Sequence, residues 1–384
     1  MENLNNQIFK IMAVLMCSFS CLILAQSDTN TEKQVRLVFN QLVSVYGSAK
    51  PQPKLEFVKE KLPIQPARYS PSPNPKIEID VALYKICQTF DKDSLNALAV
   101  VLSHELTHYY NDHTFCSDYA FANFKSNPSL KSKIGQASYN ARIEKESEAD
   151  IKGFFFAAAA GFQPHGLQGL LIEKIYFNYK LADIQKGYPS KQERIVIAKN
   201  AENTATQLYE HFKNGLSALE NKQYDVAIEL FTKANSQVPF RENWNNIGVA
   251  YARKALALKV SSKAEIENPA RFLYPLEVEN KSRLLNERTR SLDDTTEEII
   301  ELLNHAQSAF EKALQLDPSF YKSRINLACV YDLQGKHNSA IAEITEKLPE
   351  ETRACNEAKI ILAIAYYNAD MEEKAEMIWG ELKM

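Results

Sequence analysis

The chain has 384 residues, of which 45% are hydrophobic and 24% are charged, and its formal net charge is −3. This length accommodates two or three domains, and the composition is typical of a globular protein that is not a nucleic-acid binder, since basic residues are not in surplus. Glycine is scarce, with 11 residues, which favours helices over a turn-rich β fold.

The N-terminus has the pattern of a signal peptide. Lys10 precedes an apolar run from Ile11 to Ala25, which is shorter than the roughly twenty residues that span a bilayer. A cut after Ala25 predicts residues 1–25 as the signal peptide and a secreted or periplasmic mature protein. A lipoprotein acylated at Cys21 and an uncleaved anchor are the alternatives, and either would attach the chain to a membrane.

The segments that follow predict a small sheet among helices. Apolar residues at helical spacing predict a helix from Thr31 to Tyr46, and residues 82–90 predict another. Leu55–Val58 and the alternating Ile77–Val81 are predicted strands, whereas the proline-rich stretch from Pro63 to Pro75 must be loop or edge. We expect the strand before the next helix to lie at a sheet edge, where it can bind an extended substrate through its backbone.

That next helix carries the motif HExxH at residues 104–108. Positions i and i+4 of a helix share one face, so His104 and His108 direct two imidazoles at one point, and Glu105 is close enough to hold a water there. Two histidines and a carboxylate with an open fourth position form a catalytic zinc site. The alternative is a pair of surface histidines on an amphipathic helix.

A dense carboxylate run from Glu144 to Asp150 is the predicted source of the third ligand. Glu146 and Asp150 share a helix face, as do Glu144 and Glu148, so one carboxylate could bind zinc while its neighbour one turn away orients a histidine. A solvated charged face is the alternative.

His113 continues the sequence after the motif and is predicted to point away from His104, as a surface or loop histidine. The metzincin pattern requires glycine at 111 and histidine at 114, where this chain has Asn111 and Thr114. That class of metalloprotease is therefore excluded.

The stretch from Leu98 to His108 resembles the zinc helix of the HtpX-like and CaaX-protease-like gluzincins, peptidase family M forty-eight. The later Glu146-Ser147-Glu148-Ala149-Asp150 matches the E-x-x-A-D motif of that family. The resemblance covers roughly residues 31 to 200, and both motifs occur in the family's order.

This resemblance implies one zinc ion (Zn2+) per chain, held by His104, His108 and Glu146, with Asp150 as the partner that orients a histidine or assists as a donor. Glu105 would be the general base. Tyr188 stands where the family carries a histidine, ahead of Glu193-Arg194.

From Gln207 the sequence follows the 34-residue pattern of tetratricopeptide units. Four units are predicted, and an insert at about residues 254–299 interrupts the second. Small and large residues alternate at the helix contacts of these units: Gly215, Ala227, Phe231, Ala234, Gly248, Tyr251, Ala306, Phe310, Ala313, Ala328, Ala340, Ala363 and Ala375. Such an array shares one core and presents a concave face to peptides or proteins. The alternative is an unrelated helical bundle.

Together the patterns predict a mainly α protein. A zincin-type α+β metallopeptidase domain with a small edge sheet occupies residues 26–200, and an α-solenoid of tetratricopeptide repeats occupies residues 201–384. The polar stretch Asn200–Thr206 predicts an exposed connection between them.

The predicted function is a zinc-dependent metalloendopeptidase of envelope or secreted proteins, whose repeats recruit protein partners. The architecture resembles periplasmic protease-chaperones, which suggests a role in protein quality control. The alternative is a non-catalytic chaperone or scaffold that binds proteins through the array. The intact Glu105 favours the enzyme, because a purely structural zinc site needs no base.

Overall fold

A computed structural model describes most of the chain after the N-terminal segment. The predicted signal peptide, Cys21 and Tyr188 lie outside the described residues. The described ranges are 31–58, 66–71, 74–113, 128–183, 189–261, 272–279 and 296–382. Within them the chain is mainly helical with one small sheet, which confirms the mainly α prediction.

The chain divides into two compact units. The first comprises the described residues up to Val45 together with Pro53–Ala201, and the second comprises Tyr46–Gln52 together with the described residues from Glu202 onward. None of the described helices is long and apolar enough to cross a membrane.

The first unit contains a three-stranded sheet of β1 (Lys54–Val58), β2 (Ala67–Ser70) and β3 (Lys76–Asp80). The strand order is β1-β3-β2, with β3 parallel to β1 and antiparallel to β2. The expectation that the strand before the HExxH helix lies at an edge is therefore wrong. Ile77, Glu78, Ile79 and Asp80 of β3 are all buried, which suits a central strand. The edge next to the helices belongs to β2, inside the proline-rich stretch.

Among the described residues, six helices accompany this sheet. The first, α1, covers residues 31–46 and buries Val35, Val38, Phe39 and Leu42 at the predicted helical spacing. The next five are α2 (Val81–Gln88), α3 (Ser94–Tyr110), α4 (Pro128–Ala159), α5 (Leu167–Tyr179) and α6 (Lys191–Glu220), and a single 3₁₀ turn, Asp91–Asp93, separates α2 from α3.

Helices α3 and α4 pack against each other at very close range. Gly153 of α4 lies on the backbone of α3, where a Cβ atom would stand 2.9 Å from the His104 nitrogen and 3.0 Å from its Cα. Because glycine has no Cβ, the two helices can approach until side chains one and two turns before Gly153 face those of the HExxH motif. This contact positions the carboxylates of α4.

The second unit is a series of helix pairs. The end of α6 contacts α7 (Tyr224–Ala234) through the rings of Phe212 and Phe231, which are 5.9 Å apart. Helix α8 (Arg241–Ser261) pairs with α9 (Thr296–Leu316). The later helices are α10 (Tyr321–Leu333), α11 (His337–Thr345), the single turn α12 (Glu350–Arg353), α13 (Asn356–Asn368) and α14 (Glu372–Leu382), of which α10 packs on α11 and α13 on α14.

The same glycine–phenylalanine contact recurs in the first two pairs. A Cβ atom on Gly215 would stand 2.7 Å from the ring of Phe231, and one on Gly248 would stand 2.6 Å from the ring of Phe310. Both phenylalanines are fully buried. A small residue on the first helix thus accommodates a large one on the second, as the sequence pattern predicts.

Residues 200–206 are helical and lie inside α6, not in an exposed connection. This polar stretch also contains one apolar helix face: Ala198, Ala201, Ala205 and Leu208 recur at helical spacing and are buried. Polar residues on the other faces masked this periodicity in the sequence.

Candidate metal centre

The side chains of His104, His108 and Glu146 meet between α3 and α4. The Nε2 atoms of the two histidines are 3.0 Å apart. One carboxylate oxygen of Glu146 is 3.6 Å from Nε2 of His104, and the other is 3.6 Å from Nε2 of His108. These three groups can offer ligand atoms that all lie within 4.8 Å of one another. Glu144, by contrast, is exposed.

Asp150 orients the first histidine. Its Oδ1 atom lies 2.8 Å from Nδ1 of His104, and since a carboxylate only accepts, His104 carries its proton on Nδ1. The ring therefore turns Nε2 towards His108 and Glu146. A carboxylate that accepts from the outer nitrogen is the usual partner of a metal-binding histidine.

The second histidine is oriented by a chain of two residues. Nδ1 of His108 lies 2.8 Å from Nδ1 of His113, and Nε2 of His113 lies 3.2 Å from Oε2 of Glu148. When His113 is neutral and donates through Nε2 to Glu148, its Nδ1 accepts a hydrogen bond from Nδ1–H of His108. In this tautomer Nε2 of His108 is available as a ligand atom.

The expectation that His113 points away from His104 at the surface is wrong, since this side chain is buried and contacts His108, although the residue does lie in a turn beyond the helix. Helix α3 ends at Tyr110, and Asp112 adopts a positive φ of 54°. The chain turns back there, and the backbone amide of His113 donates a hydrogen bond to the carbonyl of His108 over 3.1 Å. Extending an ideal helix past Tyr110 put His113 on the wrong face.

With their outer nitrogens engaged, the two Nε2 atoms face each other at 3.0 Å, a separation that requires a shared proton or a metal cation between them. A tetrahedral ion with metal–nitrogen bonds of about 2.0–2.1 Å holds two such ligands about 3.3 Å apart, close to the observed separation. Burial lowers the pKa of His104, but Asp150 and Glu146 outweigh it and raise that pKa. Burial and the neighbouring charge of His104 hold the pKa of His108 well below its usual value. The pocket thus favours one shared positive charge over two protonated rings.

Arg194 of α6 completes the charge balance. Its Nη1 atom lies 2.9 Å from Glu146 and 3.3 Å from Asp150. Burial alone would raise the pKa of Asp150, yet Arg194 and the hydrogen bond to His104 lower it. Arg194 therefore compensates part of the negative charge of Glu146 and Asp150, and a bound cation would compensate more of it.

A capping box at the start of α6 places Arg194. The backbone amide of Ser190 donates to Oε2 of Glu193 over 2.7 Å, and the amide of Glu193 donates to Oγ of Ser190 over 3.3 Å. This reciprocal pair satisfies two amides that a helix start leaves free. The helix therefore begins at a defined residue, one turn before the guanidinium that contacts the site.

The edge strand β2 contacts the remaining motif residue. The backbone amide of Tyr69 donates to Oε2 of Glu105 over 2.8 Å. This amide points away from β3, and the ring of Tyr69 packs edge-on against Tyr109 at 5.6 Å. Burial raises the pKa of Glu105, which moves this carboxylate towards the range of a general base.

The structure therefore brings together all five residues named from the sequence: His104, Glu105, His108, Glu146 and Asp150. Sequence reasoning missed the roles of His113, Glu148 and Arg194. The sequence assigns no role to Glu193-Arg194, and the S-x-x-E pattern of Ser190 and Glu193, which predicts a helix start, is the signal that could have placed Arg194. No sequence signal pointed to the amide of Tyr69.

Comparison with protein-family models and with curated proteins gives no match for this chain. The assignment of a function therefore depends on the geometry of the site and on the resemblance of its motifs.

Proposed function

We propose that the chain is a zinc-dependent metalloendopeptidase. The observation that carries this proposal is the convergence of Nε2 of His104 and Nε2 of His108, 3.0 Å apart, on the two oxygens of the Glu146 carboxylate, while Asp150 and His113 engage the outer nitrogens. Two histidines and one carboxylate are the ligand set of a catalytic zinc site with an open position. A structural zinc site, by contrast, is closed by four protein ligands.

When bound, a zinc ion polarises the scissile carbonyl and lowers the pKa of water. Glu105 accepts the proton of that water and passes it to the leaving amine. The amide of Tyr69 restrains Oε2 of Glu105 and leaves Oε1 for this proton transfer. Asp150 and the His113–Glu148 pair hold the two imidazoles in the tautomer that leaves Nε2 unprotonated.

Substrate would lie along the outer edge of β2. Among the described strands, β2 pairs only with β3, and it contacts α3. An extended peptide can add to such an edge by main-chain hydrogen bonds. The position of Tyr69 on this strand brings the added peptide next to Glu105, so the same strand aligns the substrate and the base.

The second unit is proposed to be a tetratricopeptide array that recruits protein or peptide partners. The repeated contacts of Gly215 with Phe231 and of Gly248 with Phe310 support this, because they place equivalent residues at equivalent helix crossings. Signal-peptide cleavage after Ala25 would release the protein to the periplasm or the exterior, and substrates would then be envelope or secreted proteins.

The decisive experiment compares Glu105→Gln with the wild type in cleavage of casein, with zinc content measured in parallel. The substitution keeps size and polarity but removes the base, so zinc should remain bound while the rate falls by roughly two to four orders of magnitude. Glu144→Gln changes an exposed carboxylate of α4 and serves as the control. Equal cleavage by Glu105→Gln and the wild type, or insensitivity to chelation, would leave the non-catalytic binding protein as the better assignment.

A further inference from the structure

One face of the helical array is occupied by the chain itself. Residues 272–279 belong to the connection between α8 and α9, contain no helix or strand, and lie against α8, α10, α13 and α14. These eight residues, here called the internal segment, are Phe272-Leu273-Tyr274-Pro275-Leu276-Glu277-Val278-Glu279.

The internal segment is held by its backbone. Nδ2 of Asn246 donates to the Glu279 carbonyl over 2.9 Å, and the Glu279 amide donates to Oδ1 of Asn246 over 2.9 Å. Asn326 repeats this arrangement on Glu277, donating over 2.8 Å and accepting over 2.7 Å. Each asparagine thus satisfies both backbone groups of one residue, as a neighbouring strand would do.

The asparagines are themselves held in place. Asn245, Asn246 and Asn326 are fully buried. Oδ1 of Asn245 accepts from Ser323 over 2.8 Å and from Asn326 over 2.9 Å, while its Nδ2 donates to the Glu277 carbonyl over 3.0 Å. A buried polar network of this kind is costly unless the groups it faces are satisfied. The network therefore requires an extended backbone on top of it.

Side chains at each end anchor the internal segment. The ring of Phe272 stacks on Trp379 at 5.8 Å and meets Tyr367 edge-on at 5.5 Å. The Tyr274 hydroxyl donates to Oδ2 of Asp332 over 2.8 Å. At the other end the carboxylate of Glu279 lies 3.4 Å from Nζ of Lys322. Between them Leu273 is 91% exposed.

We infer that this face is a binding site for an extended peptide of a protein partner, and that residues 272–279 occupy it as an internal competitor. The ligand has an aromatic residue at one end, a tyrosine two residues later and an acidic residue at the other end, because these complement Trp379, Asp332 and Lys322. The inference rests on the part of the proposed function that gives the array a role in protein binding, and it does not involve the metal centre.

The competition sets a threshold for partner binding. A segment tethered within the same chain acts at an effective concentration on the order of millimolar. If the free segment bound with a dissociation constant of about 10 μM, its tethered copy would weaken an external peptide about 100-fold. Only partners that bind more tightly, or that are themselves present at high local concentration, would open the site.

The test uses the full chain and a fluorescein-labelled synthetic peptide with the sequence of residues 272–279, measured by fluorescence anisotropy in the presence of a chelator so that the probe is not cleaved. The double variant Phe272→Ala/Tyr274→Ala removes two anchors of the internal segment. It should bind the probe at least about tenfold more tightly than the wild type. Leu273→Ala, which changes an exposed side chain of the same segment, should bind like the wild type. Adding Trp379→Ala to the double variant should weaken binding again, because the aromatic pocket is lost.

Equal affinities of the wild type and the double variant, or no binding to either, would overturn the inference. Circular dichroism checks that the double variant is folded, and Phe272→Ala alone is used if it is not. Hydrogen exchange of the wild type gives an independent outcome: saturating unlabelled peptide should accelerate exchange in residues 272–279. If those amides stay equally protected with peptide, the internal segment is a fixed part of the fold and the inference fails. Since chelator is present throughout, a failure here leaves the peptidase proposal unaffected.

Discussion

The backbone amide of Tyr69 donates a hydrogen bond to Oε2 of Glu105 across 2.8 Å. This contact ties the edge strand β2 to the side chain that is proposed to move the proton. A hydrogen bond to a charged acceptor contributes about 1.5–3 kcal/mol, enough to fix one orientation of the carboxylate. The position of the strand therefore determines the position of the base.

The first prediction concerns this amide. Tyr69→Pro removes the donor, and proline is tolerated on an edge strand where the amide does not pair with the sheet. We expect kcat for casein cleavage to fall by about 10- to 100-fold, in line with the loss of a charged hydrogen bond, while zinc content is unchanged. Tyr69→Ala also removes the ring but keeps the amide, so it is the matched control. If both variants lose activity equally, the ring and not the amide is responsible.

The second prediction identifies the third ligand. Glu146→Ala should abolish stoichiometric zinc binding, whereas Glu144→Ala, at an exposed position two residues earlier, should retain one zinc per chain. Metal analysis of the purified variants after dialysis decides between them. Loss of zinc from Glu148→Ala alone, with Glu146→Ala still loaded, would show that the ligand lies two residues further along α4.

The third prediction concerns the buried His113. Its Nδ1 accepts from His108, so His113→Ala should weaken zinc binding by about 10- to 100-fold, as is typical when the outer partner of a ligand histidine is lost. Competition with a chromophoric chelator measures the affinity. The absorption spectrum of the cobalt-substituted protein reports the ligand geometry and should also change.

Replacement of the exposed His305 in the second unit provides the control for that experiment. His305→Ala should leave both the affinity and the cobalt spectrum unaltered. A His113→Ala protein with wild-type affinity and spectrum would mean that His108 needs no partner beyond its own helix.

The fourth prediction is a pH dependence of stability in the second unit. Asp317 accepts hydrogen bonds from Oγ of Ser48 over 2.5 Å and Oγ of Ser319 over 2.7 Å, and it forms an ion pair with Arg241. Burial alone would raise the pKa of Asp317, but these hydrogen bonds and the charge of Arg241 outweigh it and lower the pKa. A lowered pKa gives stability that is present above the unfolded value of about 3.9 and is lost as the pH falls through the folded value.

Asp317→Asn should therefore lower the free energy of unfolding by about 1–3 kcal/mol at pH 7, and the difference from the wild type should shrink below about pH 4. Chemical denaturation across this pH range measures it. Asp225→Asn, at a side chain that is 77% exposed, should have little effect at any pH. A constant deficit for Asp317→Asn down to pH 2 would contradict the ionic origin.

Local periodicity explains what the sequence could predict. The spacing of His104 and His108 is a property of one helix, and the buried stripe of α1 likewise needs no tertiary information. The pairing of Asp150 with His104 depends on how closely α4 approaches α3, and its trace in the sequence is Gly153, which also reads as an ordinary residue before an apolar run. The motif resemblance supplied that pairing where periodicity could not.

Long-range contacts explain what was missed. The position of β3 between β1 and β2 follows from strand pairing across the proline-rich stretch, and the return of His113 follows from one left-handed residue, Asp112. Neither has a sequence pattern of its own. The internal segment was recognised only as an insert, because its partners on α8 and α10 are separated from it by tens of residues.

In the proposed binding mode, the asparagine contacts of the internal segment would select a partner by the distance between its end residues and not by the residues between them. The hydrogen bonds of Asn246 to Glu279 and of Asn326 to Glu277 go to main-chain atoms. A bound partner could therefore vary in sequence between its aromatic and acidic ends without loss of these bonds, provided that the distance between those ends is kept. Proline in the partner at the position equivalent to Glu277 or Glu279 would abolish one hydrogen bond to an asparagine, since proline has no amide hydrogen. Unrelated partners could thus share this face, and an insertion of one residue would exclude a partner more effectively than most substitutions.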